Sequence, residues 1–304
     1  MTRRARRARV CLLVALAFAV PSLVSCGDSG AGAQGPPERV GPTIAATEDS
    51  AVFTVDCGFS HRAPDDPIVF PGEPGASHVH DFFGAEETDA HSTAASLRGG
   101  PTSCEDLDDT AAYWAPALYD GDRPVDPTRM RAYYRAAAGA DVHDVRTLPA
   151  GIELIAGDMH RGPGDWPPID QVGWGCGFRP KRYRHTPPTN CTPRSPLNLR
   201  LVFPDCWNGK DLRSDDHYSH VAYSTNGWCP RSHPVPIVQV QVSIEYPVWA
   251  KEKGGPPATD ASKLMLASGR FEGSHGDFFN SWDPKRLDHL TTLCVRAMAN
   301  CTIG

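Results

Sequence analysis

The chain has 304 residues, 40% of them hydrophobic, and a formal net charge of −6 at pH 7, so it is long enough to enclose a hydrophobic core. Its 28 glycines and 29 prolines exclude a coiled coil or long helical bundle, because proline breaks helices and glycine weakens them. The acidic balance argues against nucleic acid as a partner.

An export signal is predicted at residues 1–25. Five arginines precede an apolar run from Val10 to about Val24, and that run is shorter than the roughly 20 apolar residues that span a bilayer. It ends in Leu23-Val24-Ser25-Cys26, which resembles the bacterial lipobox. The resemblance implies cleavage before Cys26 and attachment of diacylglycerol to its thiol. An ordinary signal peptide or an uncleaved anchor is the alternative.

We therefore expect a lipoprotein on the outer face of the bacterial cytoplasmic membrane, in the cell envelope. Residues 26–50, rich in Gly, Ala, Pro and Thr, are predicted to be a flexible tether. Removal of the signal and its five arginines would leave a mature charge near −11, which anionic lipid repels everywhere except at the anchor. Residues 51–304 are predicted to form a single domain.

The folded part is predicted to be mainly β. Short β-type segments recur between turn clusters, at 52–55, 78–83, 113–119, 131–135, 151–156, 197–203 and 235–246. The last segment alternates apolar residues (Ile237, Val238, Val240, Val242, Ile244, Tyr246) with polar ones, a pattern typical of a strand with one buried face. We expect an antiparallel sandwich or a jelly-roll-like domain.

Only the C-terminal stretch favours a helix. Asp283 can cap its first turn and Pro284 suits that turn. One side would carry the apolar residues Leu287, Leu290, Leu293, Cys294 and Ala297.

Cysteine usage predicts a disulfide-braced domain. Beyond the signal and Cys26, eight cysteines remain, at positions Cys57, Cys104, Cys176, Cys191, Cys206, Cys229, Cys294 and Cys301, and an even number in an exported chain favours disulfides. Closeness in sequence suggests Cys176–Cys191, Cys206–Cys229 and Cys294–Cys301, which leaves Cys57–Cys104. The chain has no C-x-x-C motif, so a thiolate zinc site is not expected.

Residues able to do chemistry are concentrated in four stretches, at 77–84, 203–209, 215–220 and 275–282. On a strand, His78 and His80 would share one face and Asp81 would point away. His217 and His220 would share a side on a helical turn. Six of the twelve histidines lie in or near these stretches, namely His78, His80, His217, His220, His233 and His275.

These stretches resemble a secreted bacterial and fungal family that is catalogued as a domain of unknown function, family nineteen ninety-six. The resemblance rests on His78-x-His80-Asp81-Phe82-Phe83-Gly84, Phe203-Pro204-Asp205-Cys206-Trp207, Ser219-His220-Val221-Ala222-Tyr223, Cys229-Pro230-x-Ser232-His233-Pro234 and Gly276-Asp277-Phe278, in that order. It also takes in Asp65-Asp66-Pro67-Ile68-Val69 and Tyr113-Trp114-x-Pro116. It implies an extracellular domain, often found beside carbohydrate-binding modules, and no established activity.

Two chemistries compete for one polar cleft. In the first, the domain acts on or binds extracellular polysaccharide. Its catalytic residues would be His78 and His80 with the carboxyl groups of Asp205, Asp216 and Asp277, because glycoside hydrolysis uses two carboxyl groups. Trp114, Trp207 and Trp282 would stack against sugar rings.

In the second, a divalent metal, zinc or copper, is held by His78 and His80 with His217 or His220. A non-catalytic envelope lipoprotein that binds a glycan or a partner is the third possibility. The spacing of these residues does not distinguish the alternatives, so whether the protein is an enzyme stays open at this point.

Overall fold

The structure is a computed structural model that describes residues 51–178, 182–249 and 263–303. The predicted export signal, the proposed lipid attachment at Cys26 and the predicted tether lie outside these residues. Within the described ranges, no helix has the length and apolar character needed to cross a bilayer.

Two large sheets dominate the fold. The first has six strands in the order Asn300–Ile303 (β17), Val52–Cys57 (β1), Arg129–Arg135 (β7), Gln239–Tyr246 (β14), Leu197–Val202 (β10) and Val172–Cys176 (β9). Its neighbouring strands are antiparallel except for the parallel pair β1 and β17.

The second large sheet has five antiparallel strands. Their order is Phe59–Ala63 (β2), His80–Gly84 (β3), Ala112–Pro116 (β4), His275–Phe279 (β16) and Glu153–Gly157 (β8). The predicted mainly β fold is therefore confirmed.

The remaining elements are short. Two three-stranded sheets join Val221–Ala222 (β12), Cys206–Trp207 (β11) and Val235–Pro236 (β13), and Leu264–Leu266 (β15), Leu118–Asp120 (β5) and Arg123–Pro124 (β6). Helical elements among the described residues include Ala94–Leu97 (α1), the 3-10 turn Phe271–Gly273, Pro284–Leu290 (α2) and the π-helical turn Thr291–Arg296.

The two large sheets pack face to face over one hydrophobic core. Phe53 and Tyr134 of the first sheet stack at 4.7 Å, and Phe203 beside it lies 6.1 Å from Phe278 of the second sheet. One buried polar pair in this core is satisfied, as burial favours: Trp282 Nε1 donates to the Tyr134 hydroxyl at 2.8 Å. The Tyr246 hydroxyl, in contrast, has no hydrogen-bond partner among the described residues. This arrangement is a β-sandwich.

The outer face of the second sheet carries a smaller core. Phe82, Trp114, Ile155 and Phe279 lie on that face and are buried beneath covering chain that includes Ile68 and Leu97. Both faces of this sheet are thus buried, one by the other sheet and one by loops. Loops over a sheet face can enclose cavities and functional groups.

Four disulfides brace the domain, joining Cys57–Cys104, Cys176–Cys191, Cys206–Cys229 and Cys294–Cys301. These are the pairs suggested by closeness in sequence. Disulfides persist in oxidising compartments, so the bridges are consistent with an extracellular protein.

Two local expectations were wrong. The polar face of β14 is not open to solvent, since Gln239, Gln241 and Ser243 are also buried. The C-terminal helix begins as expected, with the Asp283 side chain accepting from Arg286 N, but Leu293 is 52% exposed. The helix widens to a π turn after Leu290, which rotates Leu293 and Ala297 to solvent and leaves Cys294 and Val295 in the core.

Gly276 lies where the two sheets pack too closely for a larger side chain. A Cβ on this residue would lie 2.3 Å from Leu201 Cδ1 and 3.1 Å from the Trp114 carbonyl oxygen. Gly276→Ala should therefore lower the free energy of unfolding by about 1–3 kcal/mol, the usual cost of overpacking. Chemical denaturation measures it. Gly162→Ala is the matched control, because a Cβ there meets nothing within 4 Å; equal stability of the two variants would contradict the packing.

Candidate metal centre

Three imidazole rings converge at one end of the second sheet. One nitrogen from each of His78, His80 and His275 lies within 4.8 Å of the other two. The ring centroids of His78 are 4.3 Å from His80 and 5.0 Å from His275, and those of His80 and His275 are 5.9 Å apart. Three nitrogens at this spacing can become ligands of one ion after small side-chain adjustments.

The sheet register brings these residues together. Strands β3 and β16 flank β4, with His80 opposite Pro116 and Asp277 opposite Trp114. His275, two residues before Asp277, is therefore level with Pro116 and on the same face as His80. Neighbouring strands are about 4.8 Å apart, so the two histidines start about 10 Å apart, and the small ring of Pro116 leaves room for them to meet.

Gly157 allows the close approach of β8 to His275. These two residues are paired across the strands. Gly157 has φ +83°, and a Cβ there would lie 2.3 Å from the Ser274 carbonyl oxygen and 3.1 Å from His275 Cβ. Only glycine combines this backbone conformation with this contact.

Backbone carbonyl groups fix which ring nitrogen is free. The Nδ1 atoms of His80 and His275 lie 2.9 Å and 2.7 Å from the carbonyl oxygens of Asp65 and Gly273. A carbonyl oxygen only accepts, so each Nδ1 carries the proton and each Nε2 keeps its lone pair. Among the described residues, the Nε2 atoms of His78, His80 and His275 are buried and have no hydrogen-bond partner. Metal-binding histidines typically donate one ring N–H to a backbone carbonyl and keep the other nitrogen for the ion, as His80 and His275 can here.

All three imidazoles are neutral at pH 7. Burial lowers the pKa of His78 and of His275 to about 4. Burial, followed by the nearby rings of His78 and His275, lowers the pKa of His80 well below its usual value. Because metal ions bind the neutral imidazole, protons do not compete for these nitrogens near neutral pH.

Two buried carboxyl groups adjoin the histidines. Oxygens of Asp66 and Asp277 and a ring nitrogen of His80 lie within 4.8 Å of one another. Asp66 Oδ1 accepts from the backbone N–H groups of Ile68 and Val69 at 3.0 Å and 2.9 Å, whereas Asp277 Oδ2 has no partner among the described residues. Burial raises the pKa of Asp66 to about 6, and burial with the nearby Asp66 raises that of Asp277 well above its usual value.

One side of the cluster reaches solvent. His80 and His275 are buried, but His78 is only half-buried. Tyr218 is 38% exposed, and its pKa is raised by burial and then by the nearby charges of Asp277, Asp158 and Asp66. Tyr218 therefore lies within electrostatic reach of Asp277 and Asp66.

The structure brings together three of the residues predicted for a cleft, His78, His80 and Asp277. Asp81 points to the opposite face, as expected from strand alternation, and there its carboxylate accepts from Arg62 Nε at 2.6 Å. Asp205 is not in the group. It is buried, and its carboxylate accepts from Ser224 N at 2.9 Å, so it braces a loop.

Asp216, His217 and His220 do not join the cluster either, which corrects both proposed sets. Asp216 accepts from the N–H groups of Tyr218 and Ser219, and these bonds lower its pKa, so it is an ionised turn residue. His217 has φ +64°, which is incompatible with the expected helical turn. His220 Nε2 lies 2.7 Å from the Glu153 carbonyl oxygen.

The tryptophan platform is also corrected. Trp114 and Trp282 are fully buried and cannot stack on a sugar. Trp207 is partly buried, with its Nε1 donating to the Asp211 carbonyl oxygen at 2.6 Å. Trp228 is 69% exposed and was not predicted.

Sequence reasoning missed Asp66 and Tyr218, and it left His275 out of the metal set. Each lies in a stretch already noted, and His275 has the same i, i+2 spacing to Asp277 that His78 has to His80. That repeated strand pattern is a usable signal. Asp66 lies on a covering loop, and no periodicity points from a loop to a sheet face.

The fold and the site define a disulfide-braced β-sandwich with a buried histidine cluster. A family model, described as Domain of unknown function (DUF1996), matches residues 66–282, and the chain belongs to this family. The matched region includes all five clustered side chains. No curated protein and no solved structure matches the chain.

Stability should depend on pH through His275. Its pKa is about 4 in the folded protein and about 6.5 when unfolded, so the unfolded state binds the extra proton between these values. The free energy of unfolding of metal-free protein should therefore lose up to about 3 kcal/mol from this residue as pH falls from about 6.5 to 4.

His275→Gln removes this contribution while leaving Asp66 and Asp277 in place. Urea denaturation at pH 7 and pH 5, with chelator present, measures the effect. Between pH 7 and pH 5, the free energy of unfolding should fall more for wild type than for His275→Gln. Parallel pH curves for the two proteins would contradict the burial of a neutral imidazole.

Proposed function

We propose that this protein is a metal-dependent enzyme that holds one zinc or copper ion through His78, His80 and His275. One observation carries the proposal: three imidazoles each place a ring nitrogen within 4.8 Å of the other two, and the buried Nε2 atom of each ring has no hydrogen-bond partner among the described residues. Leaving buried polar atoms unsatisfied is costly, and a shared ion would satisfy all three at once.

The donor set favours zinc or copper. Imidazole nitrogen suits both ions, whereas calcium and magnesium prefer oxygen ligands. Three protein ligands with one open position are the usual arrangement of catalytic zinc. The four disulfides occupy all eight cysteines outside the signal and Cys26, so no thiolate competes for the ion.

Metal-free acid–base catalysis by these groups is less well supported. An efficient general acid or base has a pKa near the working pH, and a histidine pKa of about 4 is too low. Glycoside hydrolysis needs two carboxyl groups about 5–10 Å apart with the substrate between them. Asp66 and Asp277 have oxygens within 4.8 Å of each other and both are buried.

The surroundings of the cluster suit a catalytic rather than a purely structural ion. Water bound to zinc becomes much more acidic, with a pKa of about 7. Asp66 and Asp277 lie next to His80, where Asp66, with a pKa of about 6, can accept a proton and either carboxyl group can act as a further ligand. The half-buried His78 leaves one side of the cluster accessible to substrate.

The proposed location is the cell envelope, with Cys26 as the lipid attachment point. The lipobox-like Leu23-Val24-Ser25-Cys26 supports this, and the disulfides agree with export. Two or more acyl chains hold a protein on a membrane where one chain is marginal.

Metal analysis tests the function directly. The purified protein, loaded with zinc or copper and dialysed, should retain about one ion per chain. His78→Ala combined with His80→Ala, or His275→Ala alone, should weaken binding by more than the roughly 10–100-fold that loss of an outer-shell partner causes. Electron paramagnetic resonance of the copper form should show coupling to several nitrogens.

His289→Ala is the matched control, because His289 is exposed and lies on α2 outside the cluster. It should retain the ion. Weak binding in wild type, or binding that survives the loss of His78, His80 or His275, would contradict the proposal.

The lipid anchor is tested by Cys26→Ala. This variant should accumulate as unprocessed precursor or be released into the medium, because no thiol remains for lipidation. Fractionation and incorporation of labelled fatty acid measure the outcome. Normal processing with retention in the membrane fraction would overturn the proposed anchor.

A further inference from the structure

A cavity lies on the outer face of the second sheet, the face that also carries the candidate metal centre. It is separate from His78, His80 and His275. Its volume is about 460 Å³, and its lining includes Pro67, Pro71, Glu153, Arg213 and Phe279. Phe279 is four residues along β16 from His275, which corresponds to about 13 Å. The cavity is therefore distinct from the candidate metal centre but close to it.

A buried carboxyl group lines the cavity. Glu153 is 7% exposed, and its Oε2 is buried with no hydrogen-bond partner among the described residues. Its backbone is fixed on both sides, since its N–H donates to the Leu212 carbonyl at 3.0 Å and its carbonyl lies 2.7 Å from His220 Nε2. The carboxyl group is therefore incompletely satisfied, and a rotation of this side chain toward the cavity would let Oε2 accept from a ligand hydroxyl.

One acidic and one basic side chain line the cavity. Arg213 lines it and is exposed. Burial raises the pKa of Glu153 to about 7, and the charge of Arg213 opposes this shift. The carboxyl group and the guanidinium can both hydrogen-bond hydroxyl groups, and the partly ionised Glu153 offsets part of the charge of Arg213. Pro67, Pro71 and Phe279 supply apolar walls.

One loop connects the cavity with the metal centre. Residues 211–220 contribute Arg213 to the cavity, and Tyr218 of the same loop lies within electrostatic reach of Asp277 and Asp66. Leu212 and Tyr218 of this loop are exposed by 40% and 38%, and apolar or aromatic faces of this kind can contact sugar rings. On the other side, Pro67 of the cavity directly follows Asp66 of the cluster.

We propose that this cavity is a saccharide subsite, in which Glu153 and Arg213 hydrogen-bond the hydroxyl groups of one uncharged pyranose ring of a polysaccharide. The adjoining part of the same chain runs along the loop 211–220 toward His78. Binding in the cavity stands on its own residues, and only its role as a substrate subsite rests on the proposed metal-dependent function.

A panel of hexasaccharides tests the subsite on the full-length protein. The neutral probes are hexaoses of glucose, mannose, galactose, xylose and N-acetylglucosamine, and hexagalacturonate is the acidic probe. Isothermal titration calorimetry should detect at least one neutral ligand. Glu153→Gln and Arg213→Gln should each weaken that binding by about tenfold or more, as expected for hydrogen bonds to charged groups.

Arg123→Gln is the matched control, because the Arg123 side chain is 81% exposed and lies outside the cavity lining. It should leave binding unchanged, and both cavity variants should keep the metal content of wild type. Failure of every neutral probe, preference for hexagalacturonate, or binding insensitive to Glu153→Gln and Arg213→Gln would each overturn the subsite.

The metal variant separates this proposal from the proposed function. Saccharide binding that persists in His78→Ala combined with His80→Ala supports the subsite even if wild type proves to hold no metal. Metal binding without saccharide binding leaves the metal centre standing and removes the subsite.

Discussion

The constraint on which the site depends is the close approach of three neutral imidazoles, each with a buried Nε2 atom that has no hydrogen-bond partner among the described residues. Burying an unsatisfied polar atom costs free energy, and here the cost is incurred by three rings that each place one nitrogen within 4.8 Å of the other two. The backbone carbonyls of Asp65 and Gly273 accept from Nδ1 of His80 and His275, which leaves the Nε2 lone pairs of these two rings free for a ligand. This arrangement is poor for stability alone and well suited to a shared ion.

The two faces of the second sheet divide structural and chemical roles. The inner face packs on the first sheet, where Gly276 allows close contact and Tyr134 pairs with Trp282. The outer face carries the histidine cluster at one end of β16 and the Glu153 cavity at the other. Because side chains alternate between the two faces of a strand, neighbouring residues take different roles. Asp277 on the outer face belongs to the cluster, and Phe278 on the inner face belongs to the hydrophobic core.

Local pattern was a good guide wherever neighbours along the chain decided the outcome. The β segments and the Asp283 cap depend on strand alternation and on one helical turn. His78 and His80 come together as predicted, although His78 precedes β3, which begins at His80. The same reasoning failed for His217 and His220, because His217 has a positive φ and the hydrogen bonds from Tyr218 N and Ser219 N to Asp216 form a turn rather than a helix. It also failed at Leu293, because the π turn changes which residues face the core.

Cysteine usage, strand periodicity and the motifs were enough to predict a disulfide-braced, mainly β domain of this family and to single out His78, His80 and Asp277 as candidates. That His275 and Asp66 complete the cluster, and that Asp205, Asp216, His217 and His220 lie outside it, became evident from the folded arrangement alone. Strand order and register are long-range properties. β4 separates β3 from β16 in the sheet although nearly two hundred residues separate them in the chain, and no local periodicity encodes that neighbourhood.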